Sequence, residues 1–220
     1  MTGVQSLGGD PVRSASRSRP RTKPPAERRD ELMNAARRLF LAHGVAGTTI
    51  EQITSAADVA KGTFYLHFSS KEDIRAALGE RFAEQHLARI RAALAEKEHA
   101  GWRAKLATWA ASCAAFYLDS IRLHDVLFFG SRPPTREGLV DNIVIDHLAE
   151  LLRAGVEAGA WSLDDARSTA VFLFSGLHGV VDDAYTRERR INRGRLTHRL
   201  QQLYARAVGH PPSRPAAAPD

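Results

Sequence analysis

The sequence TTIEQITSAADVAKGTFYLHFSSK, residues 48–71, contains two short amphipathic segments separated by a break. In the first segment, Ile50 and Ile53 lie on one side of a helical projection, and Thr49 stands where a side chain can cap the helix start. Asp58 interrupts the apolar pattern where a turn residue with a left-handed backbone is expected. The stretch therefore predicts a short helix, a tight turn and a second short helix.

The second segment has two chemically different sides. Phe64 and Phe68 lie one turn apart and are expected to pack inward. The opposite side carries Lys61, Thr63 and Tyr65. An ammonium can reach a phosphate or a guanine edge, a threonine can meet a base edge, and a phenol can donate to a phosphate oxygen. This side therefore predicts a surface that contacts double-stranded DNA.

The same stretch ends at the start of a third helix. Ser70 and Asp73 form the S-x-x-D pattern of a helix N-terminus. Lys71 then falls in a first turn whose free N–H groups also attract phosphate. Within the second segment, Gly62 lets the backbone approach a ligand closely.

The pattern TT-I-x-x-I…V-x-K-G-T-F-Y-x-H-F-x-S-K-E-D closely resembles the helix-turn-helix of TetR/AcrR-type transcriptional regulators. The resemblance covers residues 27 to about 75 and includes a preceding amphipathic helix that ends at Gly44. In that family the first helix supports the other two. The resemblance implies that Lys61 and Thr63 lie nearest the base edges. The full set of implied DNA contacts is Thr49, Lys61, Gly62, Thr63, Tyr65, His67 and Lys71.

Two positions depart from the family pattern. The family usually has glycine where this chain has Asp58, and often serine where it has Ala60. The recognition helix is therefore expected to lack its usual cap, with Asp58 as a partial substitute. Taken singly, Tyr65 and His67 have an alternative role in local hydrogen bonds, and Lys61 as a solvated charge. It is their joint order that favours DNA binding.

The positive charge is concentrated before the first helix. The chain has 31 lysine and arginine residues against 25 acidic ones, a formal net charge of +6. Residues 1–25 are rich in arginine and proline and poor in apolar residues, which predicts a disordered basic arm. We expect this arm to follow the DNA backbone or enter the minor groove, the alternative being a solubilising tail.

Cysteine usage and hydropathy favour a cytoplasmic protein without a membrane segment. No run approaches the roughly 18 to 20 apolar residues that cross a bilayer. No apolar core follows the N-terminal arginines, which argues against a secretion signal. The lone Cys113 excludes an internal disulfide, and its apolar neighbours favour buried packing over redox sensing.

Beyond residue 75 the apolar spacing is helical throughout, which predicts an all-α chain. We expect body helices at about 71–96, 102–122, 136–158, 163–187 and 194–208, with a short extra helix that includes His124–Phe129. The predicted organisation has a basic N-terminal arm, a three-helix DNA-binding domain with the helix-turn-helix, a helical body for ligand binding and dimerisation, and a disordered tail: residues 1–25, 26–71, 72–208 and 209–220.

The helix near 163–187 is apolar around most of its circumference, so we expect one side to face the body and the other a partner subunit. The last helix carries a second apolar stripe. Together they predict a two-fold, four-helix interface. The resemblance implies the same arrangement, a homodimer on a palindromic operator with recognition helices one DNA turn apart. The predicted interface residues are Phe172, Gly176, Gly179, Leu196, Leu200 and Leu203.

The resemblance also implies a small-molecule effector bound in the body, which moves the helix beginning near Lys71 and spreads the DNA-binding heads. The candidate ligand contacts are aromatic and histidine residues, for which core packing is the alternative: Trp109, Phe116, His124, Phe128, His147, Phe174 and His178. His178 and Asp182 share a helical face, but two ligands are too few for a metal site. No metal and no cofactor is predicted.

No G-x-S-x-G, H-E-x-x-H, phosphate-binding glycine loop or cysteine cluster is present, so no catalytic residue and no enzyme activity is predicted. The expected function is a DNA-binding regulator, with repression and ligand release implied by the resemblance. Two alternatives stay open: a nonspecific architectural DNA-binding protein, and an enzyme with a cryptic site in the body.

Overall fold

A computed structural model describes residues 24–128 and 142–209, and all regular structure within these ranges is helical. The predicted all-α class is confirmed. The N-terminal arm up to residue 23, the tail from residue 210, and Phe129 lie outside the described residues. The helices are α1 Pro25–His43, α2 Ile50–Ala56, α3 Lys61–Tyr65, α4 Lys71–Ala95, α5 Trp102–Phe128, α6 Ile143–Glu157, α7 Ala166–Arg187 and α8 Arg193–Ala207.

The expected body helices are present with shifted ends. Helix α5 runs on to Phe128, so the prediction of a separate short helix at His124–Phe129 was wrong for the described part of that range. Between Ile121 and Leu127, both buried, the apolar spacing continues without a glycine or proline that would end the helix. The part of the predicted 136–158 helix before residue 142 lies outside the described residues.

Two hydrophobic clusters divide the interior. The N-terminal cluster joins α1, α2, α3 and the first half of α4, and it also takes in Phe116 and Leu127 of α5. The body cluster joins the second half of α4 with α5, α6, α7 and α8. Helices α4 and α5 therefore contribute to both clusters and connect the two parts of the molecule.

Helix α7 buries one side and exposes the other. Leu173, Leu177 and Val181 lie in the body cluster, whereas Phe172 is 70% exposed. Gly176 and Gly179 are exposed on the same helix, and nothing lies within 4 Å of a Cβ built at either position. The exposed side of α7 therefore has room for the close approach of another helix.

Helix α8 requires a correction. Leu196 and Leu200, predicted at a subunit interface, are only 7% and 1% exposed and belong to the protomer's own body cluster. The prediction for these two residues was wrong, because a stripe repeating every four residues identifies a buried face without saying which neighbour buries it. Leu203 lies off this face and is 41% exposed.

The α6–α7 connection is fixed by a tryptophan. Trp161 is 1% exposed, and its indole Nε1 donates to the Leu152 carbonyl at 2.9 Å. Its ring lies against Gly155 so closely that a Cβ there would be 2.0 Å from Cζ2. Both residues are buried, so the ring has no free space into which it can move.

Gly155→Ala is expected to lower the free energy of unfolding by about 3 kcal/mol, because the added methyl displaces the Trp161 ring from a filled core. The matched control is Gly62→Ala in α3, where nothing lies within 4 Å of the new methyl and helix propensity favours alanine by about 1 kcal/mol. Urea unfolding measures both. Equal stability of the two variants would contradict this packing.

Candidate nucleic-acid interface and histidine cluster

Helix α2 starts with a capping box. The Thr49 hydroxyl oxygen accepts from the Gln52 N–H at 3.2 Å, and the Thr49 N–H donates to the Gln52 side chain at 2.8 Å. The expected capping role of Thr49 is confirmed. Two otherwise unpaired N–H groups are satisfied in this way, and the start of α2 is fixed.

The turn between α2 and α3 has the expected left-handed residue. Asp58 has φ of 53° and is the one non-glycine residue with positive φ in the described ranges. The Val59 N–H then donates to the Thr54 carbonyl at 3.0 Å, which returns the chain toward the core. Helix α3 begins after Ala60 without a side-chain cap, as the departure from the family pattern predicted. Asp58 does not replace that cap.

Helix α3 has only five residues, and it is held by two buried phenylalanines. Phe64 and Phe68 are 0% and 2% exposed, with ring centroids 5.8 Å apart. The guanidinium of Arg29 in α1 lies 5.0 Å from the Phe68 ring centre. This anchoring leaves the opposite side of α3 open to solvent.

The open side of α3 carries the predicted contact residues. Lys61, Gly62 and Tyr65 are exposed, and Thr63 and His67 are partly buried. Leu66, at 82% exposure, lies next to them and was missed by the sequence analysis. An exposed apolar side chain beside a polar DNA-facing surface can contact a thymine methyl group. Sequence could have identified Leu66 as exposed, because its position falls outside the helical face formed by Phe64 and Phe68.

An ion pair links the two helices on this surface. The Lys61 ammonium contacts the Glu51 carboxylate, and both side chains are more than half exposed. Hydrogen bonding to Lys61 lowers the pKa of Glu51, and the same pair raises the pKa of Lys61. Glu51 would therefore compete with any phosphate that approached Lys61. Sequence analysis did not include Glu51 in the site.

Lys71 has a partner inside the protein. Its Nζ donates to the Thr48 carbonyl at 2.9 Å, which ties the start of α4 to the start of α2. Ser70 caps α4, with its hydroxyl accepting from the Asp73 N–H at 3.0 Å, as the S-x-x-D pattern predicted. An ammonium has three donors, so Lys71 can hold this carbonyl and still face a phosphate.

Two arginines of α4 connect the N-terminal helices to the body. The Arg75 guanidinium donates to the Leu127 carbonyl in the last turn of α5. Arg81 contacts the Asp30 carboxylate of α1 and donates to the Met33 sulfur at 3.0 Å. These contacts tie α5 to α4 and α4 to α1.

The predicted ligand residues fall into two groups. Trp109 and His147 form one, with the Trp109 Nε1 donating to His147 Nδ1 at 3.2 Å in the body core. Burial lowers the pKa of His147. The other five lie together near the α4 side: Phe116, His124, Phe128, Phe174 and His178. These two groups do not line one common surface.

The second group surrounds histidines from three helices. His124 of α5 and His178 of α7 have ring centroids 5.5 Å apart. His86 of α4 stacks on Phe116 with centroids 4.3 Å apart. Burial lowers the pKa of His86 and of His124 to about 3 and also lowers the pKa of His178, so all three rings are neutral near pH 7.

This histidine cluster is defined as His86, His124 and His178 with the aromatic rings around them, and sequence analysis did not predict a role in it for His86 or Phe82. His86 takes an apolar position in α4, four residues from both Phe82 and Ile90. A histidine within an apolar repeat could have marked His86 as a buried polar residue. Phe82 contacts the cluster through Phe116, at 5.0 Å between ring centres.

Asp182, one turn from His178, accepts a hydrogen bond from the Tyr117 hydroxyl at 2.7 Å. Burial raises the pKa of Tyr117. Across the described residues, no group of three or more histidine, cysteine or acidic side chains is arranged to hold a metal ion. Asp182 is bonded to Tyr117, and His178 Nδ1 lies 2.9 Å from the Phe174 carbonyl.

A surface cavity of about 360 Å³ lies elsewhere, between α1 and α5. None of the predicted ligand residues contributes to its wall. It is lined by Arg37, Leu41, Leu118, Asp119, Ser120, Ile121, Arg122, Leu123 and Tyr185. Asp119 already accepts from Arg89 and Arg193, at 2.9 and 2.6 Å.

Comparison with known proteins agrees with the geometry of α1 to α4. Residues 32–78 match the sequence model of bacterial regulatory proteins of the tetR family. The N-terminal helices of this chain are thus similar to those of the tetR family. The match begins within α1 and ends within α4, so it includes the capping box, the turn and the exposed side of α3.

Curated relatives with the same N-terminal helices are named as regulators. The chain is 50% identical over 46 residues to the HTH-type regulator TcmR of Streptomyces glaucescens, covering 21% of this chain and 20% of TcmR. It is 39% identical over 79 residues to TtgR of Pseudomonas putida, covering 36% and 38%. The matched regions thus span well under half of the length of these relatives.

Solved structures extend the likeness to the body. The fatty acid degradation regulator FadR of Bacillus halodurans matches with a TM-score of 0.65 and 25% identity, over 86% of this chain and all of that one. FadR of Bacillus subtilis, solved with stearoyl-CoA, matches with a TM-score of 0.65 and 22% identity, over 81% and 98%. The chain therefore has the TetR-type fold. None of its described helices has the length and hydropathy to span a bilayer.

Asp58→Gly is expected to raise the free energy of unfolding by about 0.5–1 kcal/mol, because glycine adopts a left-handed backbone without steric cost. The matched control is the neighbouring Ala57→Gly, where φ is −95° and glycine should destabilise by about 0.5–1 kcal/mol. Thermal unfolding of both variants tests this. A loss of stability in both would show that Asp58 has contacts more important than its backbone strain.

Glu51→Gln is expected to strengthen binding to duplex DNA, because the ion pair no longer holds Lys61 away from phosphate. The log–log salt slope of binding should steepen by up to about 0.9 if one phosphate contact is gained. Fluorescence anisotropy at several salt concentrations measures both effects. Glu150→Gln, on exposed α6 surface, controls for the change in net charge, and an equal effect there would remove the specific role of Glu51.

Proposed function

We propose that this protein is a transcriptional regulator that binds a palindromic DNA operator as a homodimer and is released by a small ligand, as a repressor. The observation that carries the proposal is the exposed side of α3, with Lys61, Gly62, Thr63 and Tyr65 supported from behind by the buried Phe64 and Phe68. A rigid backing fixes the register of these groups in a major groove.

Thr49, His67 and Lys71 border this surface. Thr49 and Lys71 lie at the starts of α2 and α4, where free N–H groups attract phosphate. We assign them to backbone contacts that position the protein, and Lys61 and Thr63 to base edges that supply sequence preference. Leu66 is added to this set as an apolar base contact.

The proposed dimer interface is the exposed side of α7 with part of α8. Phe172 would be the anchor, because a solitary phenylalanine with 70% exposure is costly in water. Gly176 and Gly179 give room for a second copy of α7, and Leu203 adds apolar surface from α8. Leu196 and Leu200 support this surface from inside the protomer.

Release by a ligand would use helix α4. It starts at the DNA-binding helices, donates from Arg75 to the end of α5, and reaches the histidine cluster at His86. A ligand that binds best when these helices are repositioned shifts the population toward a form with misplaced recognition helices. The loss of DNA affinity cannot exceed the ratio of the ligand's affinities for the two forms.

Enzyme function is the less favoured alternative, since the named relatives are regulators and no catalytic motif occurs in the sequence. Nonspecific architectural binding is the other alternative. It would give similar affinity for all duplexes, whereas a regulator prefers its own site by roughly a thousandfold or more.

The deciding experiment is selection of bound sites from random duplex DNA by the full-length protein at near-physiological salt. We expect an enriched palindrome. Lys61→Ala and Tyr65→Phe should each weaken binding to it by about tenfold, whereas Lys97→Ala, an exposed lysine after α4, should not. Uniform enrichment would reject the regulator in favour of nonspecific binding.

A second experiment tests the dimer. Phe172→Glu is expected to give monomers by sedimentation velocity, with loss of full-operator binding, because a carboxylate would be buried in the interface. Ala88→Glu adds the same charge to an exposed site on α4 and should leave the dimer intact. A dimeric Phe172→Glu variant with tight operator binding would contradict this interface.

A further inference from the structure

The histidine cluster contains a buried polar atom without a partner. His86 is only 4% exposed, and its Nε2 has no hydrogen-bond partner within the described part of the chain. A backbone hydrogen bond with Cys113 acts to raise the pKa of His86, and since Nε2 has no partner, this bond is made by Nδ1, which then carries the proton. Nε2 therefore presents a lone pair inside an apolar environment, where an unsatisfied acceptor is costly.

His178 presents a second acceptor from another helix. Its Nδ1 lies 2.9 Å from the Phe174 carbonyl. A carbonyl can only accept, so Nδ1 carries the proton and the neutral ring keeps its lone pair on Nε2. The ring lies 4.4 Å from both Tyr117 and Phe174, centre to centre.

The remaining charges near the cluster make it unfavourable for an anion. Asp182 accepts from Tyr117 and contributes negative charge. Arg89, the arginine whose charge acts on His86, donates to Asp119 instead. Among the described residues, an anionic group placed against these rings would meet neutral imidazoles and the Asp182 carboxylate, which do not offset its desolvation.

The cluster also has a partly exposed edge. Phe128 is 42% exposed, and its ring lies against Gly79 of α4, 3.4 Å from a Cβ built there. It contacts Phe82 and His124 at ring-centre distances of 5.8 and 5.0 Å. The neighbouring Leu127 holds Arg75 through its carbonyl, so displacement of Phe128 would disturb the link between α5 and α4.

We propose that the histidine cluster binds an uncharged aromatic compound with a hydroxyl or N–H donor, which stacks among the rings and donates to His86 Nε2 or His178 Nε2. This inference rests on the proposed ligand-controlled function and specifies its ligand class. Aromatic faces supply the stacking surface, and the two lone pairs supply the polar selection. A ligand with an anionic head group, such as an acyl-CoA, does not suit these groups.

The test uses three probes of equal ring size: 2-naphthol, naphthalene and 2-naphthoate. Calorimetric titration of the full-length protein at pH 7, without DNA, should give tightest binding for 2-naphthol. One hydrogen bond to a buried acceptor predicts about tenfold tighter binding than for naphthalene. 2-Naphthoate should bind more weakly than naphthalene.

His86→Phe and His178→Phe keep a ring in place and remove one acceptor each. We expect at least one of them to reduce 2-naphthol affinity to that of naphthalene while naphthalene binding stays within about threefold, because stacking is retained. His198→Phe, on the exposed surface of α8, is the control and should change neither. Nitrogen-15 NMR of the wild-type protein provides a readout independent of variant folding. The Nε2 resonance of His86 or His178 should shift with 2-naphthol and stay unchanged with naphthalene.

Equal binding of the three probes, preference for 2-naphthoate, or no binding of any would overturn the proposed ligand class. So would tight binding of Zn²⁺ that His86→Phe abolishes, which would make the cluster a metal site. Site selection on random DNA reports separately on the regulator. A selected palindrome without 2-naphthol preference would reject the ligand class alone, whereas 2-naphthol binding without any selected site would reject the DNA-binding function.

Discussion

Helix α4 has to complete two hydrophobic cores with one continuous segment. Its first half gives Ile74, Leu78 and Phe82 to the N-terminal cluster, and its second half gives Leu87 and Ile90 to the body. A helix of this length transmits displacement because its internal hydrogen bonds resist bending. The orientation of α3 is therefore set partly by how the second half of α4 packs in the body cluster.

The exposed side of α3 owes little of its order to helix propensity. Helix α3 is shorter than two turns and begins at Ala60 without a side-chain cap, so it would not persist alone in water. Phe64 and Phe68 provide the missing free energy by burial, and the capping box at Thr49 fixes the preceding helix. The predicted contact residues depend on tertiary packing, so they become ordered only when the whole N-terminal domain folds.

The sequence was sufficient where the signal is local. The Thr49 cap, the left-handed Asp58 and the inward phenylalanines follow from short-range chemistry, and each is present in the structure. It was insufficient where a surface has two possible neighbours. Leu196 and Leu200 carry the same pattern whether a partner or the same chain covers them, and only the packing of α8 against α5 decides. The histidine cluster was only partly predictable, because its members come from three helices far apart in sequence and His86 interrupts an apolar repeat.

The buried thiol of Cys113 lies beside this cluster, on the helix whose backbone carbonyl holds His86. It is fully enclosed in the body cluster, and burial raises its pKa, so formation of the reactive thiolate is favoured when that cluster opens. The rate at which Cys113 reacts with a thiol reagent therefore reports how often the body opens. A compound that stabilises the closed body would lower this reaction rate, and one that favours the open body would raise it.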